Sequence, residues 1–172
     1  MGRKVIKVKL SEDDINDAIS ELNKYKQEFM RKVETFRTRV AEALANEAKQ
    51  GFNGAIVDDL TDGAEIASVN VSVTQRGDVS VVIASGEDAI WVEFGAGVYH
   101  NGSAGSSPHP KGAELGMIIG GYGKGMGKKK VWGYREDGEL KLTHGTPARM
   151  PMSRSVTTVC NDIAIIAREV FG

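Results

Sequence analysis

Apolar residues recur along the first third of the chain at Ile15, Ile19, Leu22, Tyr25, Phe29, Val33, Phe36, Val40 and Leu44. The steps alternate between three and four residues, which is one stripe of an amphipathic helix. Ser11 stands where an N-cap belongs, with Asp14 at the third helical position in a weak form of the capping box. Neither glycine nor proline interrupts the run before Gly51. The pattern predicts a helix over 11–51, roughly 60 Å long at the usual rise, preceded by an N-terminal arm over 1–10. The stripe reads most simply as core, and a helix this long either bends back or projects towards a partner.

The period then changes to two. Ile66 to Thr74 alternates apolar and polar, Val79 to Ala84 is a second run, and Arg76-Gly77-Asp78 between them reads as a hairpin turn. The Arg-Gly-Asp triplet resembles an integrin ligand, but its place between two strands favours the turn. Ala89 to Phe94 reads as a third strand ending at Gly95-Ala96-Gly97, which completes a β-meander over 65–94. A second hairpin is predicted over 130–143, from Lys130 to Tyr134 and Glu139 to Leu142, closed by Glu136-Asp137-Gly138. A closing helix spans 151–171, with Pro151 in its first turn and a stripe of Met152, Val156, Val159, Cys160, Ile163, Ala167 and Val170. The expected fold is α+β: an antiparallel sheet of four to five strands packed against a long N-terminal and a C-terminal helix.

At 172 residues the chain is expected to be a single domain over 1–172. Its 22 basic and 23 acidic side chains argue against a polybasic DNA-coating protein. Charge is nevertheless segregated: residues 1–50 carry a net +2, 51–100 a net −7 and 101–172 a net +4. Unlike faces of this kind suit head-to-tail association of identical copies, although solvated faces would look the same. Eleven of the 21 glycines fall in 95–130. A loop this long and this rich in glycine is costly to order alone and is usually functional or disordered. The single cysteine, Cys160, excludes an internal disulfide and reads as a small buried hydrophobe. No signal peptide or apolar run long enough for a membrane span is visible, so a soluble, intracellularly made protein is expected.

The run Gly120-Gly-Tyr-Gly-Lys-Gly-Met-Gly-Lys-Lys-Lys130 invites a phosphate-loop reading, which fails. Gly123-Lys124 and Gly127-Lys128 are followed by Gly125 and Lys129 where Ser or Thr is needed, and the first glycine of the motif is missing. Lys124, Lys128, Lys129 and Lys130 could follow a nucleic-acid backbone, yet Tyr122 and Trp132 are the only aromatics near them. A loop that orders against a neighbouring subunit is the better reading. His100, His109 and His144 lack helical metal-site spacing, and no nucleophile elbow is present. Glu93 has no evident carboxylate partner for acid–base work; between Val92 and Phe94 on a strand it would face water or pair with an arginine. No catalysis, cofactor or metal is expected.

Two segments carry a resemblance. Trp91-Val92-Glu93-Phe94-Gly95-Ala96-Gly97 resembles the Val-Glu-Phe-Gly-Thr-Gly strand-end signature of the tail-completion, or tail-to-head joining, neck proteins of tailed siphophages. His144-Gly145-Thr146-Pro147-Ala148-Arg149-Met150-Pro151-Met152 is similar to that family's second signature, a Gly-x-Pro-Ala-Arg-Pro-Phe-type turn entering the last helix. The layout over 15–170 is also similar. Ala96 replaces the usual threonine, Met150 is an insertion, and Met152 stands where phenylalanine is common. The resemblance implies a structural virion protein: a homo-oligomeric, sixfold ring that joins the tail tube to the head connector. Such a ring encloses packaged DNA without reading it, and is assembled in the bacterial host cytoplasm away from membranes. The signature residues are the candidate subunit interface, with Glu93 and Arg149 expected to meet within or between subunits. Tyr122, Lys124 and Lys128 to Lys130 form a candidate assembly loop. The competing readings are a minor capsid or head-closure protein, a nucleic-acid-binding module using the lysine-rich loop, and a small hydrolase built on His144 and Glu93.

Overall fold

The first helix starts where its cap predicts. In a computed structural model, which describes residue 5 and residues 11–59, 63–100, 103–104, 106–121 and 129–172, α1 spans Glu12–Phe52. Ser11 Oγ accepts the Asp14 amide, and Glu12, Asp13 and Asp14 complement the positive end of the helix dipole. Two antiparallel pairs follow: β1 (Ile56–Asp59) with β2 (Gly63–Ile66), and β3 (Asn70–Arg76) with β4 (Val79–Ser85). Helix α2 (Ala89–Phe94) precedes the short ribbon β5 (Tyr99–His100) and β6 (Ser103–Ala104), and then the five-residue α3 (Pro110–Glu114). A last hairpin, β7 (Trp132–Glu136) and β8 (Glu139–Thr143), leads to α4 (Pro151–Phe171).

The two longer hairpins turn as their glycines require. Arg76 pairs with Val79 across Gly77-Asp78, where Gly77 alone has a positive φ of 56°, as a type II′ turn needs. Asp137 and Gly138 both have positive φ, the type I′ pattern. Arg37 Nη1 of α1 donates to the Gly77 carbonyl at 3.0 Å and ties the first hairpin's tip to the helix.

Helices α1 and α4 pack antiparallel. Pro151 at the start of α4 lies against Gly51 near the end of α1, its Cβ 2.6 Å from where a Gly51 side chain would begin. Further along, Arg39 pairs with Glu169 at 3.0 Å, and the Phe171 ring sits about 6 Å from both Phe29 and Phe36. The core is small: Ala45, Ala48 and Phe52 of α1, Ala55, Val71 of β3 and Val92 of α2. Val73, Val82, Ala84 and Met152 close around it.

Several expectations are corrected. Among the described residues there is no four- or five-stranded sheet; the strands form four separate two-stranded sheets. The expected third strand, 89–94, is helix α2. Gly86, at φ 130°, brings the chain directly against the Ser68 backbone, and Asp88 accepts the Ser68 amide at 2.8 Å, which ends β4 and starts a helical turn. Helical spacing then places Val92 and Glu93, which a strand would send to opposite faces, both inside. The first expected strand divides, because Ile66 pairs back to Ile56 and β3 begins only at Asn70. The long stripe is core only towards its C-terminal end; Ile15, Ile19 and Leu22 are exposed because α4 ends before reaching them, and Phe29, met only by Phe171 at the end of α4, is exposed as well. Cys160 is exposed, although the neighbouring Val159 on α4 is buried. Within the expected loop 95–130 lie the β5–β6 ribbon and α3; Tyr122, Lys124 and Lys128 fall outside the described residues.

Candidate functional site

The two sequence signatures come together at the start of α4. Helix α2 carries the first, and its C-cap Gly95 adopts φ 76°, ψ 171°, a region open essentially to glycine. Gly97 follows at φ 66°, so the chain leaves α2 by two turns that side chains resist. The second signature runs antiparallel to this exit. The Ala96 amide donates to the Thr146 carbonyl, and the Arg149 amide to the Val92 carbonyl, each at 2.9 Å. Thr146, Gly145 and Pro151 are buried, whereas Pro147, Ala148 and Arg149 are half-buried. Gly145, at φ 80°, lies flush against the Val98 side chain, with no room for a Cβ.

Glu93 closes the junction. It is 6% exposed. Its two carboxylate oxygens accept the Met152 amide at 2.8 Å, the Ser153 amide at 3.0 Å and the Ser153 hydroxyl at 2.6 Å. Helix α4 has no cap of its own, because the N-cap position is Met150, a left-handed residue at φ 54° whose side chain makes no cap hydrogen bond. A carboxylate delivered from α2 therefore supplies what a local Ser or Asp would have done, satisfying two first-turn amides and opposing the helix dipole. Met150 also accepts the Ser107 hydroxyl on its sulfur at 2.8 Å.

The expected contact between Glu93 and Arg149 is not made within the chain. Glu93 is occupied by α4, and the Arg149 guanidinium reaches the Gly54 carbonyl at 3.4 Å instead. The turn converges on the C-terminal end of α2 rather than on a strand end, and it does so through backbone bonds. Glu93 neither faces water nor pairs with an arginine, because helical geometry turns it inward. Sequence reading missed Ser153 and Ser107, whose roles depend on neighbours dozens of residues away.

Beside this junction lies an open groove of about 930 Å³, lined by Val82, Ala84, Ile90, Phe94, Leu115 and Val156 among others. Glu93, Ser153 and His109 also line it, the His109 ring 5.9 Å from that of Phe94. Ser153 donates to Glu93, whose carboxylate also holds two α4 amides, and His109 Nδ1 accepts the Lys111 amide. Among the described residues no three His, Cys, Asp or Glu side chains gather to hold a metal ion, and no helix is long and apolar enough to cross a membrane. Lys129 and Lys130 are exposed, and the Lys129 carbonyl accepts the Trp132 indole N–H at 2.9 Å. Compared with known proteins, the chain matches no family model, no curated protein and no solved structure.

Proposed function

We propose that this chain is a structural protein of a tailed-phage virion, placed in the neck, where identical copies form a sixfold ring that completes the tail and joins it to the head connector. The observation that supports this reading most is that the two segments resembling the neck-protein signatures form one hydrogen-bonded unit. Val92 is bonded to Arg149, Ala96 to Thr146, and Glu93 to the first turn of α4. A rigid junction with saturated polar groups suits a scaffold better than a catalytic centre, which needs a group held ready to react. In this reading, the net −7 of residues 51–100 and the net +4 of residues 101–172 face each other between neighbouring copies. The exposed Lys129 and Lys130 contribute to that contact, and DNA passes through the ring without base-specific recognition.

The test is electron microscopy of lysates from a phage or prophage lacking only this gene. Filled heads and separate, unjoined tails are expected. Intact, infectious particles would overturn the proposal.

A further inference from the structure

The groove beside the α2–α4 junction has an open strand edge in its wall. Strands β3 and β4 form a sheet of two, so each keeps one edge without a neighbouring strand. Arg76 and Val79 flank a two-residue turn, which makes them a hydrogen-bonded pair. By alternation, Ser80, Val82 and Ala84 turn their N–H and C=O groups away from β3. Among the described residues nothing bonds to those groups. Val82 and Ala84 line the groove together with Ile90, Phe94, Leu115 and Val156; Leu115 and Val156 are 43 and 48% exposed. Native edge strands are blunted by charge, proline or a bulge, and β4, Val-Ser-Val-Val-Ile-Ala-Ser, has none of these. A free strand edge beside an apolar groove is the arrangement that takes up an extended segment as an added strand.

Pattern, reach and charge identify the occupant. In Lys4-Val-Ile-Lys-Val-Lys-Leu10, an extended chain puts Ile6, Val8 and Leu10 on one side and Lys7 and Lys9 on the other. Val5 is 69% exposed on its own copy. These seven residues reach at most about 25 Å from Ser11. Arg37, which holds the near end of the β3–β4 ribbon at Gly77, lies about 40 Å along α1 from Ser11, and Phe52, in the groove wall, about 60 Å. The segment therefore cannot enter the groove of its own copy. It carries Lys4, Lys7 and Lys9 and no acidic residue, whereas β4 is uncharged and is flanked by the exposed Asp78 and Glu87. Of the charged residues lining the groove, Glu93 is held by α4 and Lys111 pairs with Glu114 at 2.6 Å. We infer that residues 4–10 of one copy add as a strand to the open edge of β4 in a second copy, with their apolar side chains towards the groove. The contact joins unlike surfaces, so it passes from copy to copy and can close into a ring. It does not rest on the neck assignment.

Complementation between full-length variants tests it. Ile6→Asp/Val8→Asp breaks the arm, and Leu115→Lys/Val156→Lys charges the groove against it. In sedimentation velocity at about 100 μM the wild type is expected to associate. Each double variant alone should weaken association roughly 30-fold or more with helicity unchanged. Mixed in equal amounts, the two should form one-to-one pairs and nothing larger, because only one kind of intact arm meets one kind of intact groove. A monomeric wild type, variants that associate as it does, or a mixture that stays monomeric would each overturn the inference. Amide hydrogen exchange reads the strand pairing itself. Ser80, Val82 and Ala84 should exchange at least about 10-fold more slowly in the wild type than in the arm variant. Equal rates would show that the arm does not pair with β4, and would overturn it too.

Discussion

Replacing Glu93 by alanine is expected to destabilise the fold by about 3 kcal/mol and lower its melting temperature by roughly 6–12 °C. The substitution removes one carboxylate but strands three donors: the Met152 amide, the Ser153 amide and the Ser153 hydroxyl. These groups are partly or wholly shielded from water, so most of their desolvation remains uncompensated once the acceptor is gone. The loss also unseats the first turn of α4, which has no cap of its own because Met150 is left-handed and its side chain makes no cap hydrogen bond. Helix α4 covers half of α1, so its start is a costly place to fray. Glu93→Gln should fall between the wild type and alanine, since one oxygen can still accept while the charge opposing the helix dipole is lost. Ser153→Ala should cost only about 1 kcal/mol, because the two amide bonds survive. Calorimetry of the three variants checks the ranking. An alanine variant melting within a degree of the wild type would remove Glu93 from its proposed structural role.

Gly145→Ala is expected to be comparably damaging, at about 2–5 kcal/mol. Two effects add. The residue sits at φ 80°, where an L side chain is strained, and its Cβ would overlap the Val98 side chain, itself buried. The two contributions can be separated. Val98→Ala in the same chain makes room for the new methyl group, so the double variant should recover the overlap but not the backbone strain. Its melting temperature should therefore lie above that of Gly145→Ala once the cost of Val98→Ala alone is subtracted. A double variant whose losses simply add would place the whole effect in the backbone.

What the sequence made legible follows from the length of each pattern. The 41 residues of α1 and the 21 of α4 repeat their periods many times, so their existence and limits were readable to within a residue or so. The β3–β4 and β7–β8 hairpins were readable from Gly77 and Gly138, whose positive φ values the turn types demand. Ala89 to Phe94 is too short an apolar run for its period to choose between strand and helix. The choice is made by Gly86 and Asp88 contacting Ser68, some 20 residues earlier. The β1–β2 pair went unread because four residues a side, with Asp58 and Asp59 among them, leave no apolar alternation to see.

The candidate site was half legible. Both signatures were visible as residue types, and their glycines hold the positive φ values that such exits and turns need. The role of Glu93 was not visible, because it depends on α2 being helical and on the α4 amides 59 and 60 residues away. The setting of Arg149 was hidden for the same reason: charge sign suggested Glu93, within or between subunits, while within the chain the guanidinium reaches Gly54. The exposure of Ile15, Ile19 and Leu22 was likewise hidden, since periodicity reports that a face is apolar and not what covers it.

The neck assignment is tested most directly by locating the protein in the particle. Intact virions incubated with gold-labelled antibody against this chain, after gentle opening of the head–tail junction, should carry gold at the neck. Gold spread over the capsid shell, gathered at the distal tail tip, or absent from purified particles would contradict the proposal.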